Sequence, residues 1–147
     1  MNIYTIENNF TVYAGTSAYL LASGLNDAQV LQAAKDWAKR QLANNRYNTE
    51  KSGTLWNNFP VATDRESQSK STAAYIMAKD SLWIDGKVWK FADGVSRAMT
   101  TQNILDMAVS VSSHVQACYE AEAAKVASID ACTTLAEVES LDLTVSI

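Results

Sequence analysis

Residues 101–131, TQNILDMAVSVSSHVQACYEAEAAKVASIDA, decide how this chain is to be read. Ile104, Ala108, Val111, Val115, Cys118, Val126 and Ile129 recur at helical spacing and form one apolar stripe. Neither proline nor glycine interrupts them, and Thr100 and Thr101 stand where an N-terminal cap is needed. The pattern predicts one helix over 101–131. At ~1.5 Å per residue it is roughly 45 Å long. That exceeds a small globular core, so part of it is free to project or to pair with a partner helix.

Working outward, Thr134-Leu135-Ala136-Glu137 reads as a capping box opening a short helix over 135–141. The tail LTVSI is left open between a strand and a frayed end. Upstream, SLWIDGKVWKFADG (81–94) holds two β-type runs, Leu82–Ile84 and Val88–Phe91, on either side of Asp85-Gly86. Asp-Gly favours the positive φ of a type I′ turn, so a hairpin is expected there. Thr63-Asp64-Arg65-Glu66 reads as a second capping box, with Thr63 as the cap, opening a helix over 64–79. Residues 44–63 lack periodicity but contain Trp56, Phe59 and the one proline, Pro60. They read as a structured connection with a short hairpin around Lys51-Ser52-Gly53.

Val30, Leu31, Ala34, Trp37, Ala38 and Leu42 share one helical face over about 27–44, with Asn26 or Asp27 as the cap. NIYTI and FTVYA, rich in β-branched and aromatic residues, read as strands joined at Asn8-Asn9. Residues 16–23 fit either a third strand or a helical turn. The fold class is therefore α+β, mainly α: a small N-terminal β piece, capped helices, a β-hairpin and one long C-terminal helix. Residues 1–25 read as a small β-type attachment segment and 26–147 as the α-rich domain.

Composition bounds the rest. The chain has 147 residues and is 48% apolar and 19% charged, enough for one domain with a real core. No apolar run is long enough for a membrane span, and no basic-then-apolar leader pattern is visible at the N-terminus. Two cysteines make no disulfide scaffold and point to a reducing compartment. The net charge of −4 is uneven. Residues 35–97 carry eleven Lys/Arg against seven Asp/Glu, and residues 98–147 carry Lys125 against seven acids. Either the basic middle docks an acidic partner, or these are solvated faces and internal pairs. The pI near 4.9, with no basic cluster interleaved with aromatics, argues against nucleic acid.

No catalytic constellation emerges. The one histidine, His114, lies beside the apolar stripe, with Ser110 and Cys118 four residues away on either side. A structural histidine is the simpler account. His114 and Cys118 lack third and fourth ligands at metal-site spacing, and no phosphate-binding glycine loop occurs. Enzyme activity, a cofactor and a metal are not expected. Six residues stand out as candidate partner contacts: Trp56, Phe59, Arg65, Gln68, Trp83 and Trp89. The aromatics fit either core covering or an exposed anchor patch. The two polar residues fit either a solvated helix start or an interface.

Three segments carry a resemblance. They are WAKRQLANNR with TLWNNFPVATDRESQSK, then WIDGKVWKFADG, then HVQACYEAEAAKVASIDACTT. From Trp37 to Ala136 the chain resembles an uncharacterised domain that recurs in tail proteins of tailed bacteriophages and prophages. That domain is often encoded beside tail-fibre genes. The resemblance implies a phage tail component: a fibre or baseplate subunit, or a chaperone of fibre assembly. It implies a tail-fibre or baseplate protein as partner, and a place in the virion tail or in the host cytoplasm during assembly. Homo-oligomerisation is a further option. The family carries no catalytic residues to transfer, and its pattern residues here (Asp64, Arg65, Ser67, Gln68, Trp89, Asp93, His114 and Cys118) read as structural. Two other readings remain: a tail-associated hydrolase using His114, and a prophage regulatory binding module.

Overall fold

The computed structural model describes residues 1–8 and 11–147. Along the chain these form β1 (Tyr4–Asn8), β2 (Thr11–Gly15), α1 (Ser17–Ala22), α2 (Asp27–Glu50), β3 (Thr54–Trp56), β4 (Phe59–Val61), α3 (Arg65–Lys79), β5 (Val88–Lys90), β6 (Ser96–Ala98), α4 (Thr101–Ala131) and α5 (Leu135–Glu139). The strands pair as three two-stranded antiparallel sheets, and the rest is mainly helix. The fold is α+β, mainly α. The expected turn at Asn8-Asn9, and Phe10 of the second strand, lie in part outside the described residues.

Backbone contacts divide the chain into two compact units, one of Met1–Asn45 with Glu122–Val145 and one of Arg46–Ala121 with Ser146–Ile147. In the first unit, β1 is held by Tyr4. Its ring is fully buried and meets Trp37 edge-on at 5.9 Å, and its hydroxyl donates to Glu139 at 2.8 Å. Residues 16–23 resolve as helix: the Thr16 hydroxyl caps α1 by accepting from the Tyr19 amide. Asn26 and Gln29 exchange side-chain and backbone bonds at the start of α2. Buried Leu20, Val30, Ala34, Ala38, Leu42, Ile129 and Val138 make the core of this unit. The tail is neither strand nor frayed. Asn45 and Lys125 donate to the carbonyls of Leu143 and Asp142, and Val145 is buried. Lys39 pairs with Asp130 at 2.6 Å, so part of the basic middle is used up by the acidic end.

The second unit has its own cluster of Trp56, Val61, Ala74, Ala78, Phe91, Met99, Ile104, Met107 and Val111. Both of its hairpins differ from the expected ones. The first turns at Asn57-Asn58, with φ of 49° and 63°, and pairs Trp56 with Phe59. Two asparagines, which tolerate the left-handed region, make the turn of the short hairpin that was expected around Lys51-Ser52-Gly53. The second pairs β5 with β6 and turns at Ala92–Val95, where Gly94 has φ of 80°. Asp85-Gly86 does make a tight turn, with the Lys87 amide on the Ile84 carbonyl. Residues 82–84 do not pair across it, because Gly86 and Met99 bond each other instead and the Asp85 carboxylate binds the Thr101 amide and hydroxyl.

The three remaining helix starts also have side-chain caps. Thr100 and Asn103 bond reciprocally at the head of α4. Thr134 and Glu137 form a full capping box at α5, although that helix ends at Glu139. At α3 the cap is Asp64, one residue later than expected, accepting from the Ser67 amide at 3.1 Å. Thr63 is unavailable because its hydroxyl is buried and engaged elsewhere. Glu66, the other half of the expected box, pairs with Lys70. The last large difference is length: α2 continues six residues past the expected end at 44, to Glu50.

Candidate functional site

The most densely bonded place in the second unit is the C-terminus of α2. A helix end leaves four carbonyls without intrahelical partners. Here the Thr49 carbonyl accepts from Ser52 through both its amide and its hydroxyl, and from His114 Nε2 at 3.1 Å. The Glu50 carbonyl accepts from His114 Nε2 at 3.0 Å and from the Thr63 hydroxyl. Thr63 Oγ1 in turn accepts from the Gly53 amide at 2.9 Å. Because Nε2 faces two carbonyl oxygens, it carries the proton.

The Glu50 side chain, 4% exposed, lies in the same cluster. It forms an ion pair with Arg46 and accepts from Gln68 Nε2 at 3.0 Å. Gln68 also donates to the Thr63 carbonyl at 2.8 Å. The Arg46 guanidinium sits 4.5 Å from the Tyr119 ring centre. Burial, and then the nearby Glu50 carboxylate, push the Cys118 thiol up, against a smaller opposing effect of Arg46. It therefore stays protonated at neutral pH and is a poor nucleophile. Imidazole, carboxylate, hydroxyl and thiol are gathered here, but His114 Nε2, the Thr63 hydroxyl and the Glu50 carboxylate are committed to internal bonds. The chemistry this supports is the anchoring of α2 to α3 and α4.

The six sequence-predicted contact residues all fall in the second unit. Trp56 stacks on Phe91 with centres 6.3 Å apart and is 9% exposed, so it offers a partner little surface. Phe59 meets Phe91 edge-on at 5.5 Å, and the Arg97 guanidinium covers it at 4.2 Å. Trp89 is half-buried against the core cluster, opposite Arg97 in the hairpin. Trp83 is half-buried, with its Nε1 donating to the Met99 carbonyl at 3.2 Å. Gln68 is spent on Glu50 and Thr63, while Arg65 is exposed, 5.6 Å from the Tyr47 ring centre.

Comparison with known proteins matches residues 33–145 to DUF4376, a domain of unknown function. The chain belongs to that family. No curated protein matches it, nor does any solved structure.

Sequence reasoning did not single out two surfaces of this DUF4376 chain. The first lies around Trp83, where Leu82, Ile84 and Val88 are each more than 60% exposed. Its signal is the run Leu-Trp-Ile directly after a helix, with a carbonyl-anchored tryptophan in the middle. The second is a groove between α3 and α4. One stretch of about 400 Å³ is lined by Ser71, Thr72 and Tyr75 facing Val109 and Ser112. It continues past Arg65, Ser69, Ile76, Val115 and Tyr119. The Ser71 hydroxyl at its base is buried and has no hydrogen-bond partner among the described residues. Among the described residues there is no group of three metal-binding side chains, and no helix is long and apolar enough to cross a membrane.

Proposed function

We propose that this DUF4376 chain is a non-enzymatic bacteriophage tail protein that binds the tail fibre, as an assembly chaperone or as a small fibre or baseplate subunit. The resemblance of Trp37–Ala136 to phage tail proteins motivates the reading. The observation that carries it is the exposed apolar surface around Trp83. Leu82, Ile84 and Val88 stand beside a half-buried indole whose polar end is already satisfied by Met99. A protein that binds an apolar partner surface needs such a patch, with an indole at its centre. No observation favours the hydrolase over it, since His114 Nε2 is taken up by two backbone carbonyls. The prophage regulatory module likewise gains no support.

The test is co-expression with a tail-fibre protein of the phage or prophage that encodes the chain. Co-purification and a higher soluble fibre yield are expected, and both should fall with Leu82→Asp plus Ile84→Asp. If the chain neither co-purifies with fibre nor raises its solubility, the reading is wrong. Stoichiometric copies in gradient-purified virions would select the subunit form over the pure chaperone.

A further inference from the structure

The groove between α3 and α4 has a charge arrangement that identifies its occupant. The two helices run antiparallel along it: Arg65 and Tyr119 line one end, Tyr75 and Val109 the other. On α3, Arg65, Ser69, Thr72, Ile76 and Lys79 recur at three- and four-residue spacing, and all five are exposed. On α4, Val109, Ser112 and Gln116 are exposed between Asp106 and Glu120. Ile76 and Val109 are half-exposed apolar groups, and Ser69, Thr72, Ala73 and Ser112 form a low waist between them.

The four corner charges are unmatched by opposite charges. Arg65 and Lys79 meet no carboxylate among the described residues. The carboxylate of Asp106 accepts only from Gln102, and that of Glu120 only from Gln116. So α3 presents a cation at each end and α4 an anion at each end. A two-fold axis running along the groove leaves each end opposite the same end of the facing copy and exchanges the two helices. It lays Arg65 of one copy over Glu120 of the other, and Lys79 over Asp106, twice each. A foreign acidic helix would answer only the α3 side. We propose that the α3–α4 face is the self-complementary interface of a homodimer, closed by these four reciprocal ion pairs around Ile76 and Val109. This proposal stands apart from the fibre-binding reading, because it concerns the purified chain alone.

Sedimentation of the full chain from about 1 µM to about 500 µM tests it, a range that spans ordinary dimer affinities. A monomer–dimer equilibrium that weakens with added salt is expected. Arg65→Glu should raise the dimer Kd at least about tenfold, and adding Glu120→Arg to the same chain should return it to within about threefold. Lys79→Glu with Asp106→Lys is an independent swap at the other end, so misfolding of one variant leaves the other to decide. Circular dichroism establishes that each variant is folded. A chain that is monomeric throughout, a dimer indifferent to either single reversal, or swaps that fail to restore it would each overturn the proposal. Fibre protein seated on this face of a monomeric chain would do so too.

Discussion

Replacing Thr63 by valine removes one hydroxyl at nearly constant volume. Thr63 is fully buried, and that hydroxyl donates to the Glu50 carbonyl and accepts from the Gly53 amide at 2.9 Å. In the variant the Glu50 carbonyl keeps His114 at 3.0 Å, so the acceptor side remains covered. The Gly53 amide loses its partner. One lost hydrogen bond at about 1 kcal/mol, with part of the desolvation cost of the stranded amide, gives a loss of about 2 kcal/mol. Thr63→Ser keeps both bonds and deletes one buried methyl, a loss of about 1 kcal/mol. Serine should therefore be tolerated better than valine, the reverse of what burial alone would rank. Urea unfolding followed by far-UV circular dichroism measures both, and the midpoint should fall without a change in slope. The valine variant should melt roughly 4–8 °C below wild type, at about 2–4 °C per kcal/mol for this chain length. If valine is as stable as serine or more so, the hydroxyl is not what holds the α2 end.

Two further outcomes are expected. Ser81 follows the last turn of α3 with φ of 60°, its amide on the Ala78 carbonyl and the Leu82 amide on that of Met77. This is the left-handed helix stop that favours glycine, so Ser81→Gly should stabilise by about 0.5–1 kcal/mol, read as a rise in Tm of about 1–4 °C; an unchanged or lower Tm would contradict it. Hydrogen bonds hold three carboxylates below their usual range: the Thr101 amide at Asp85, Arg97 at Asp93, and the Thr133 and Thr134 amides at Glu137. A depressed folded-state value favours the native state above the unfolded-state value and loses that contribution as pH drops through the folded one. The urea midpoint should therefore be flat from about pH 7 to 5 and fall below about pH 4, and a midpoint that holds steady from pH 4 to 3 would show that these bonds do not stabilise the fold.

The long helix was legible because thirty-one residues with one apolar stripe and no breaker leave no other period to fit. The Thr134–Glu137 box was legible because both partners are local in sequence. What misled was local chemistry overridden from a distance. Thr63 satisfies the capping pattern, yet Glu50 and Gly53, thirteen and ten residues upstream, hold its hydroxyl, and Asp64 inherits the role. Asp85-Gly86 satisfies the hairpin pattern, but the Asp85 carboxylate is drawn to Thr101 and Gly86 to Met99. The end of α2 was placed six residues early because residues 44–63 show no apolar periodicity. The helix persists because His114, Thr63 and Ser52 donate to its last carbonyls. Of that cluster, only the Arg46–Glu50 spacing of four was visible in the sequence. The partners of Glu50 on α3 and α4 follow from tertiary structure alone.

Two helices, α2 and α4, cross from one compact unit to the other within unbroken turns: the divisions fall at Asn45–Arg46 and at Ala121–Glu122. In the order of the gene, the body of the second unit, Arg46–Ala121, is thus an insertion into the first, spliced in through helices rather than loops. Recombination that exchanged one unit would have to break twice, each time inside a helix, and would leave four fresh helix ends without caps. Modular swapping, which is open to chains with loop boundaries, is therefore costly for this one. Its two halves are expected to be inherited together, with variation accumulating by substitution instead of exchange.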